Sequence, residues 1–199
     1  MGKRTPAVSS ELEFIARHVR EADAVWENKV DDIEPEMRRL SNRMYQCADD
    51  NVGEILGFLK GAITESAQKH RLQMSDWRGS SGDWEVWRYV HSPNTPEASI
   101  GSTGLDIAWI GGLRLVAWIA LRGGKYTRRV LVDSCRSEGL DVHLASSRSS
   151  LYPDRDWGGC VVWFEKYLTR RSSMNELHDK LRLQGGAFFR ITKRLIKSL

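Results

Sequence analysis

The sequence contains no apolar run long enough to cross a bilayer as a helix, no closely spaced cysteines and no histidine cluster. Its longest apolar stretch, Leu105 to Leu121, is interrupted by Asp106, Arg114 and two glycines, and falls short of the roughly 20 residues that a helical span requires. The opening MGKRTPAVSSELEF is basic but has no apolar segment behind it, so no secretory signal is expected. Pro6 stands where an N-myristoylation pattern needs Ser or Thr. Cys47, Cys135 and Cys160 lie far apart with no C-x-x-C pair. That spacing argues against a disulfide framework or a structural zinc site and fits free thiols in a reducing, cytoplasmic compartment. His18, His70, His91, His143 and His178 are scattered without H-E-x-x-H spacing, so neither a metal nor a cofactor is expected.

Catalytic signatures are also missing. No G-x-S-x-G marks a hydrolase elbow. RGGKYT, at 122 to 127, has glycines and a lysine but lacks phosphate-loop spacing. It falls between two predicted strands and reads as a hairpin turn. With 41% hydrophobic and 28% charged residues in 199, the composition is that of a globular protein with a buried core rather than a disordered chain, and one domain spanning 1–199 is expected.

Charge is unevenly placed. Residues 1–76 hold 11 Lys/Arg against 14 Asp/Glu, residues 77–165 hold 10 of each, and residues 166–199 hold 9 against 2, a local net of +7 within an overall +4. Such a segment favours an anionic partner.

The first 75 residues have helical periodicity. Ser10 and Glu13 form a capping-box pattern ahead of Leu12, Ile15, Ala16, Val19, Ala22 and Trp26, a helix that could run on through Val30. Pro35 suits the first turn of a second helix with Met37, Leu40 and Met44 on one face. Asp49 or Asp50 would cap a third, striped by Val52, Ile55, Leu56, Leu59 and Ile63.

After the turn-rich DWRGSSGD at 76–83, short apolar and aromatic runs between glycines predict strands near 84–91, 105–110, 113–122, 125–134 and 140–146, with a sixth at 160–168. Short connections make the second to fifth an antiparallel meander, with the sheet spanning 76–170. Ser173 and Glu176 repeat the capping pattern, QGG at 184–186 ends that helix, and AFFRITKRLIKSL forms an amphipathic helix closing a basic tail over 171–199. The class predicted is α+β.

If Gly111–Gly112 is a two-residue turn, Ile110 faces Leu113. One face then carries Ala108, Ile110, Leu113, Leu115, Ala117, Ile119 and Leu121, and is the face for helices to cover. Asp106 falls on that face near a strand end, where GSTGLD reads as a loop that leaves it at the sheet edge in water. The opposite face gathers Trp109, Trp118, Arg122, Lys125 and Arg129, with Arg114 opposite Asp133. Two readings of this face stay open. Indoles could stack on unpaired bases while Arg and Lys meet phosphates. Equally, the cations could lie over the tryptophans, gaining roughly 0.5–1 kcal/mol without any ligand. Trp84, Trp87, Trp157 and Trp163 read as core or rim.

The order of a helix followed by a meander with Asp106 on the second strand resembles the restriction-endonuclease-like nucleases. In them a metal-binding Asp on a strand is followed by an E-x-K or similar motif on the next. Here the next strand, LRLVAWIALR, has no acidic residue, which leaves a metal without a ligand set. The function expected is therefore non-enzymatic binding of DNA or RNA, through Trp109, Trp118, Arg122, Lys125 and Arg129 on the sheet and Arg190, Lys193, Arg194 and Lys197 at the carboxy terminus. The rival expectation is a subunit or inhibitor docking its basic helix on an acidic protein surface, and a third is a metal-dependent nuclease with Asp106 as a metal ligand.

Overall fold

A computed structural model describes residues 5–17, 35–79, 84–91, 99–108, 112–122, 124–145 and 160–197. The elements are helix α1 (Ser10–Arg17), helix α2 (Pro35–Lys69), strands β1 (Glu85–His91), β2 (Ser99–Ala108) and β3 (Arg114–Leu121), helix α3 (Gly124–Ser137), strands β4 (His143–Leu144) and β5 (Cys160–Tyr167), and helix α4 (Met174–Lys197). The sheet is antiparallel in the order β1-β2-β3-β5-β4. The class is α+β, as the sequence pattern predicts. No described helix is long and apolar enough to cross a membrane.

Helix α1 starts one residue earlier than its capping pattern suggests, because Ser9 rather than Ser10 caps it. The Ser9 hydroxyl accepts from the Leu12 amide at 3.1 Å. Asn51 pins the segment before it, accepting from the Ser9 amide at 2.9 Å and donating to the Ala7 carbonyl at 2.8 Å. The continuation of this helix through Val30 lies outside the described residues. Pro35 does open a helix, but α2 runs unbroken to Lys69, about 50 Å at 1.5 Å per residue. Asp49 and Asp50 sit inside it and cap nothing: Asp49 accepts the Trp84 indole at 2.6 Å and Asp50 the Gln46 amide at 3.0 Å. The stripe Val52, Ile55, Leu56, Leu59 and Ile63 is fully buried, as its spacing requires.

Three sequence expectations are overturned. Residues 125–134 form helix α3, not a strand. Thr127, Leu131 and Cys135, at four-residue steps, are buried, and Tyr126, Arg129 and Asp133 are exposed, a helical period that the β-branched content obscured. The meander consequently stops at β3, whose outer neighbour is β5. The pairing of β2 with β3 also differs from the expected one. Ala108 pairs with Arg114, Asp106 with Val116 and Gly104 with Trp118, one residue away from the predicted register. The faces of β3 are as predicted, and those of β2 are exchanged. Finally, QGG ends nothing, because α4 passes straight through it.

The reason lies in the helix crossing. A Cβ on Gly185 would come within 3.1 Å of the Ser66 Oγ, 3.2 Å of its Cβ and 3.4 Å of Trp163. The glycine is there so that α4 can touch α2 and the sheet at one point. The Ser66 hydroxyl lies 2.8 Å from both the Ala62 and Arg182 carbonyls, tying the two helices together. Beneath the crossing, fully buried Trp163 stacks on Phe188 at 5.2 Å and meets Phe189 edge-on at 5.6 Å. A register shift in the β3–β5 ladder places Trp163 beside Phe164 in the same helix-facing core.

Two predictions follow from this packing. Gly185→Val should destabilise the fold by about 1–3 kcal/mol through overpacking, measured by denaturant unfolding against a Gly186→Ala control, whose added methyl enters open space. Burial pushes the Cys135 and Cys160 thiols up to about 12, whereas Cys47 is exposed. A thiol reagent at neutral pH should therefore label one cysteine rapidly in the native protein and three after denaturation. Rapid labelling of Cys135 or Cys160 in the native state would contradict the packing.

Candidate functional site

The predicted aromatic and basic sheet face does not form. Trp118 is 6% exposed and cannot serve as a stacking platform. Its indole crosses Gly104, where a Cβ would meet the ring at 2.7 Å, and donates to the Asp106 carboxylate at 2.9 Å. Asp106 is therefore neither on the helix-covered face nor in water. It is buried on the opposite face at 5% exposure, within a small cluster that includes Val116, Ala145, Cys160 and Val162. Lys125 and Arg129 belong to helix α3 and not to the sheet. Arg114 pairs not with Asp133 but with Glu165 at 2.5 Å, and bonds the Tyr167 hydroxyl. Trp109 lies outside the described residues. Among the described residues no group of three or more His, Cys, Asp or Glu side chains is arranged to hold a metal.

The predicted cations assemble elsewhere, in two places. At the start of α3, Arg122 and Arg129 are exposed, the helix has no acidic residue in its first turn, and Tyr126 projects with 80% of its surface in water. GKYT, at 124 to 127, is thus the first turn of a helix rather than part of a hairpin, and a helix amino terminus bears partial positive charge. Sequence reasoning missed Tyr126, because it read residues 125–134 as a strand. The 127/131/135 apolar spacing carried the signal that it faces outward.

The second assembly is built where α2 ends against α4. The Leu72 amide bonds the Ala67 carbonyl at 3.1 Å and the Arg71 amide that of Gln68 at 2.8 Å, with Arg71 left-handed at φ 53°, a Schellman closure. The exposed carbonyl of His70 then accepts from the Lys193 ammonium at 2.6 Å. This cap fixes His70 at the mouth of a groove of about 260 Å³ between the helices, walled by Lys69, Arg182 and Arg190 with Gly186 on α4. Along α4, residues 182, 186, 190, 193, 194 and 197 recur at three- and four-residue steps and share a face. Arg182, Arg190 and Arg194 are exposed, and the Lys197 side chain lies outside the described residues.

The convergence of charge shows in His70. Burial first, then Lys69, Arg190 and Lys193, hold its imidazole below the ordinary 6.5, and a hydrogen bond with the Gly186 backbone opposes them. Glu138, beyond the end of α3, is the local counter-charge: its Oε2 takes Arg190 at 2.6 Å and its Oε1 takes Arg194. Bonding by Arg194, with Arg190 adding to it, holds this carboxyl below its usual range.

Comparison with known proteins adds little to this geometry. No protein-family model matches the chain, and no solved structure matches it. Residues of the chain are 30% identical over 71 positions to 3-phosphoshikimate 1-carboxyvinyltransferase of Thermoanaerobacter sp. (strain X514), and equally to that of Thermoanaerobacter pseudethanolicus (strain ATCC 33223 / 39E). Each match takes in 36% of this chain and 17% of the enzyme, so the chain spans less than a fifth of the length of these curated relatives.

The His70 environment is directly testable. Lys69→Met should raise its pKa toward 6.5 without reaching it, since burial, the larger cause, persists; NMR titration of the imidazole resonances measures this. Because the folded-state value lies below the unfolded one, the unfolded chain takes up the proton more readily as pH falls through about 6.5. Folding stability should decline across that window, and less steeply in Lys69→Met. An unchanged His70 titration in the variant would show that Lys69 does not act on the ring.

Proposed function

We propose that this protein binds nucleic acid non-enzymatically, with the exposed face of α4 and the adjoining end of α2 meeting phosphates. The observation that carries this is the convergence of Lys69, Arg182 and Arg190 on one groove beside His70, whose carbonyl is bonded by Lys193; after burial, Lys69, Arg190 and Lys193 are what hold the imidazole below its ordinary value. Cations placed along about 18 Å of helix, from 182 to 194, suit a polyanion with regularly spaced charges. Tyr126 supplies an exposed ring one helical turn before Arg129, and an exposed ring with a cation in reach is a combination that stacks an unpaired base. The sheet residues first expected to do this, Trp118 above all, have no part in the proposal. The short match to the two transferases covers too little of those enzymes to bring an activity with it.

One observation favours a protein partner as the second reading. Leu183 is 69% exposed beside Arg182 and the groove, and an apolar side chain among cations is what an acidic protein surface with an apolar pocket would engage.

Titration of labelled single- and double-stranded oligonucleotides at rising salt separates the readings. Binding should weaken linearly in log–log form, and Arg182→Ala and Arg190→Ala should each lower the slope by about 0.7–0.9. Tyr126→Ala should weaken single-strand binding by about 1–3 kcal/mol and leave the slope unchanged. Glu138→Gln should tighten binding, since it releases two guanidinium groups from their counter-charge. Absence of binding to DNA and RNA at low salt rejects the proposal.

A further inference from the structure

Resting on that reading, we infer that the groove between α2 and α4 is a subsite for a terminal phosphate monoester, so that this protein prefers nucleic-acid ends bearing a phosphate over ends bearing a hydroxyl. A phosphodiester within a strand carries one negative charge and needs a path in and out on both sides. A phosphomonoester near pH 7 carries between −1.5 and −2, with three acceptor oxygens, and is attached on one side only. The groove matches the second. It is a recess of about 260 Å³ bounded by two helices, and its walls set three permanent cations, Lys69, Arg182 and Arg190, against one carboxylate, Glu65. Arg182 also meets Asp179 at 3.6 Å and Arg190 meets Glu138 at 2.6 Å, carboxylates that an incoming dianion would displace.

Arg182 and Arg190 lie eight residues apart on α4, two turns and about 12 Å along the axis. Gly186 sits midway between them and contributes no side chain. A Cβ there would meet nothing within 4 Å, in contrast to Gly185, whose Cβ would collide with Ser66. Packing therefore accounts for Gly185 and leaves Gly186 unexplained, although glycine costs roughly 0.5–1 kcal/mol relative to alanine inside a helix. A groove floor that must admit a tetrahedral group accounts for it. His70, held at the rim by Lys193, adds a fourth donor when it takes up a proton. A bound dianion would raise its depressed pKa by opposing Lys69, Arg190 and Lys193.

The test uses one oligonucleotide in three forms, 5′-phosphorylated, 3′-phosphorylated and with hydroxyls at both ends, each titrated against wild type, Gly186→Leu and Lys69→Gln. The expected result is an affinity at least tenfold higher for a phosphorylated form than for the hydroxyl form in wild type. That ratio should drop to near one in Gly186→Leu, whose side chain enters the groove from α4, and fall severalfold in Lys69→Gln. Taking the ratio within each variant removes any effect of the leucine on backbone binding, and thermal unfolding of Gly186→Leu should stay within a few degrees of wild type. Equal affinity of all three forms for wild type overturns the end-binding subsite while leaving backbone binding intact. A preference that survives Gly186→Leu places the phosphate elsewhere and overturns it too. No binding of any form removes both this inference and the reading on which it rests.

Discussion

The contact on which the rest of the molecule depends is the close crossing of α2 and α4 at Ser66 and Gly185. One hydroxyl between two helical carbonyls and one missing methyl group let α4 lie against α2 and against Trp163 together. On the inner side this seats Phe188 and Phe189 on the sheet through Trp163. On the outer side, because successive helical residues are turned by about 100°, Gly186 points into the groove as soon as Gly185 points at Ser66. Core and groove are therefore two faces of the same crossing. A substitution that moved the helices apart would lose aromatic packing and the spacing of Lys69 and Arg190 together.

The sheet plays the opposite part. Its second face is closed by the protein's own chemistry, since Asp106 receives the Trp118 indole and Arg114 is held by Glu165 and Tyr167. Burying a carboxylate is costly unless donors reach it, and an indole N–H is a donor that brings apolar area with it. The strands thus act as scaffold, and exposed cations are found at helix ends, at Arg122 before α3 and at Lys69 in the last turn of α2.

How far the sequence revealed this follows from which signals are local. The stripe from Val52 to Ile63, the Ser173 cap and the faces of β3 were legible because each depends on residues within one or two turns or on strand alternation. The pairing of β2 with β3 was not, since a shift of one residue between the strands leaves the same glycines in the text. Arg128 to Asp133 read as a strand because two valines and a leucine stand in succession, while the 127/131/135 spacing that favoured a helix was the weaker pattern. QGG read as a stop because glycine's usual place near a helix end is its terminus. Its role as a contact surface depends on Ser66, more than a hundred residues earlier in the chain. The candidate site shows the same division. Arg190, Lys193 and Arg194 were visible from charge alone, and Lys69, His70 and Arg182 were not, because only the crossing of α2 and α4 brings them to one groove.

Glu138 shows how such a surface can be kept both ordered and available. Two guanidinium groups one helical turn apart repel each other, and with nothing between them they would sample many rotamers. The carboxylate of Glu138, fixed beyond the end of α3, accepts one from each side and orients both. Exposed ion pairs of this kind contribute little net stability, so a phosphate can exchange with the carboxylate at small cost. The arginines would then meet the incoming anion already extended, having lost their side-chain freedom during folding rather than during binding. On the proposed reading, Glu138 holds these two arginines where an incoming phosphate would meet them.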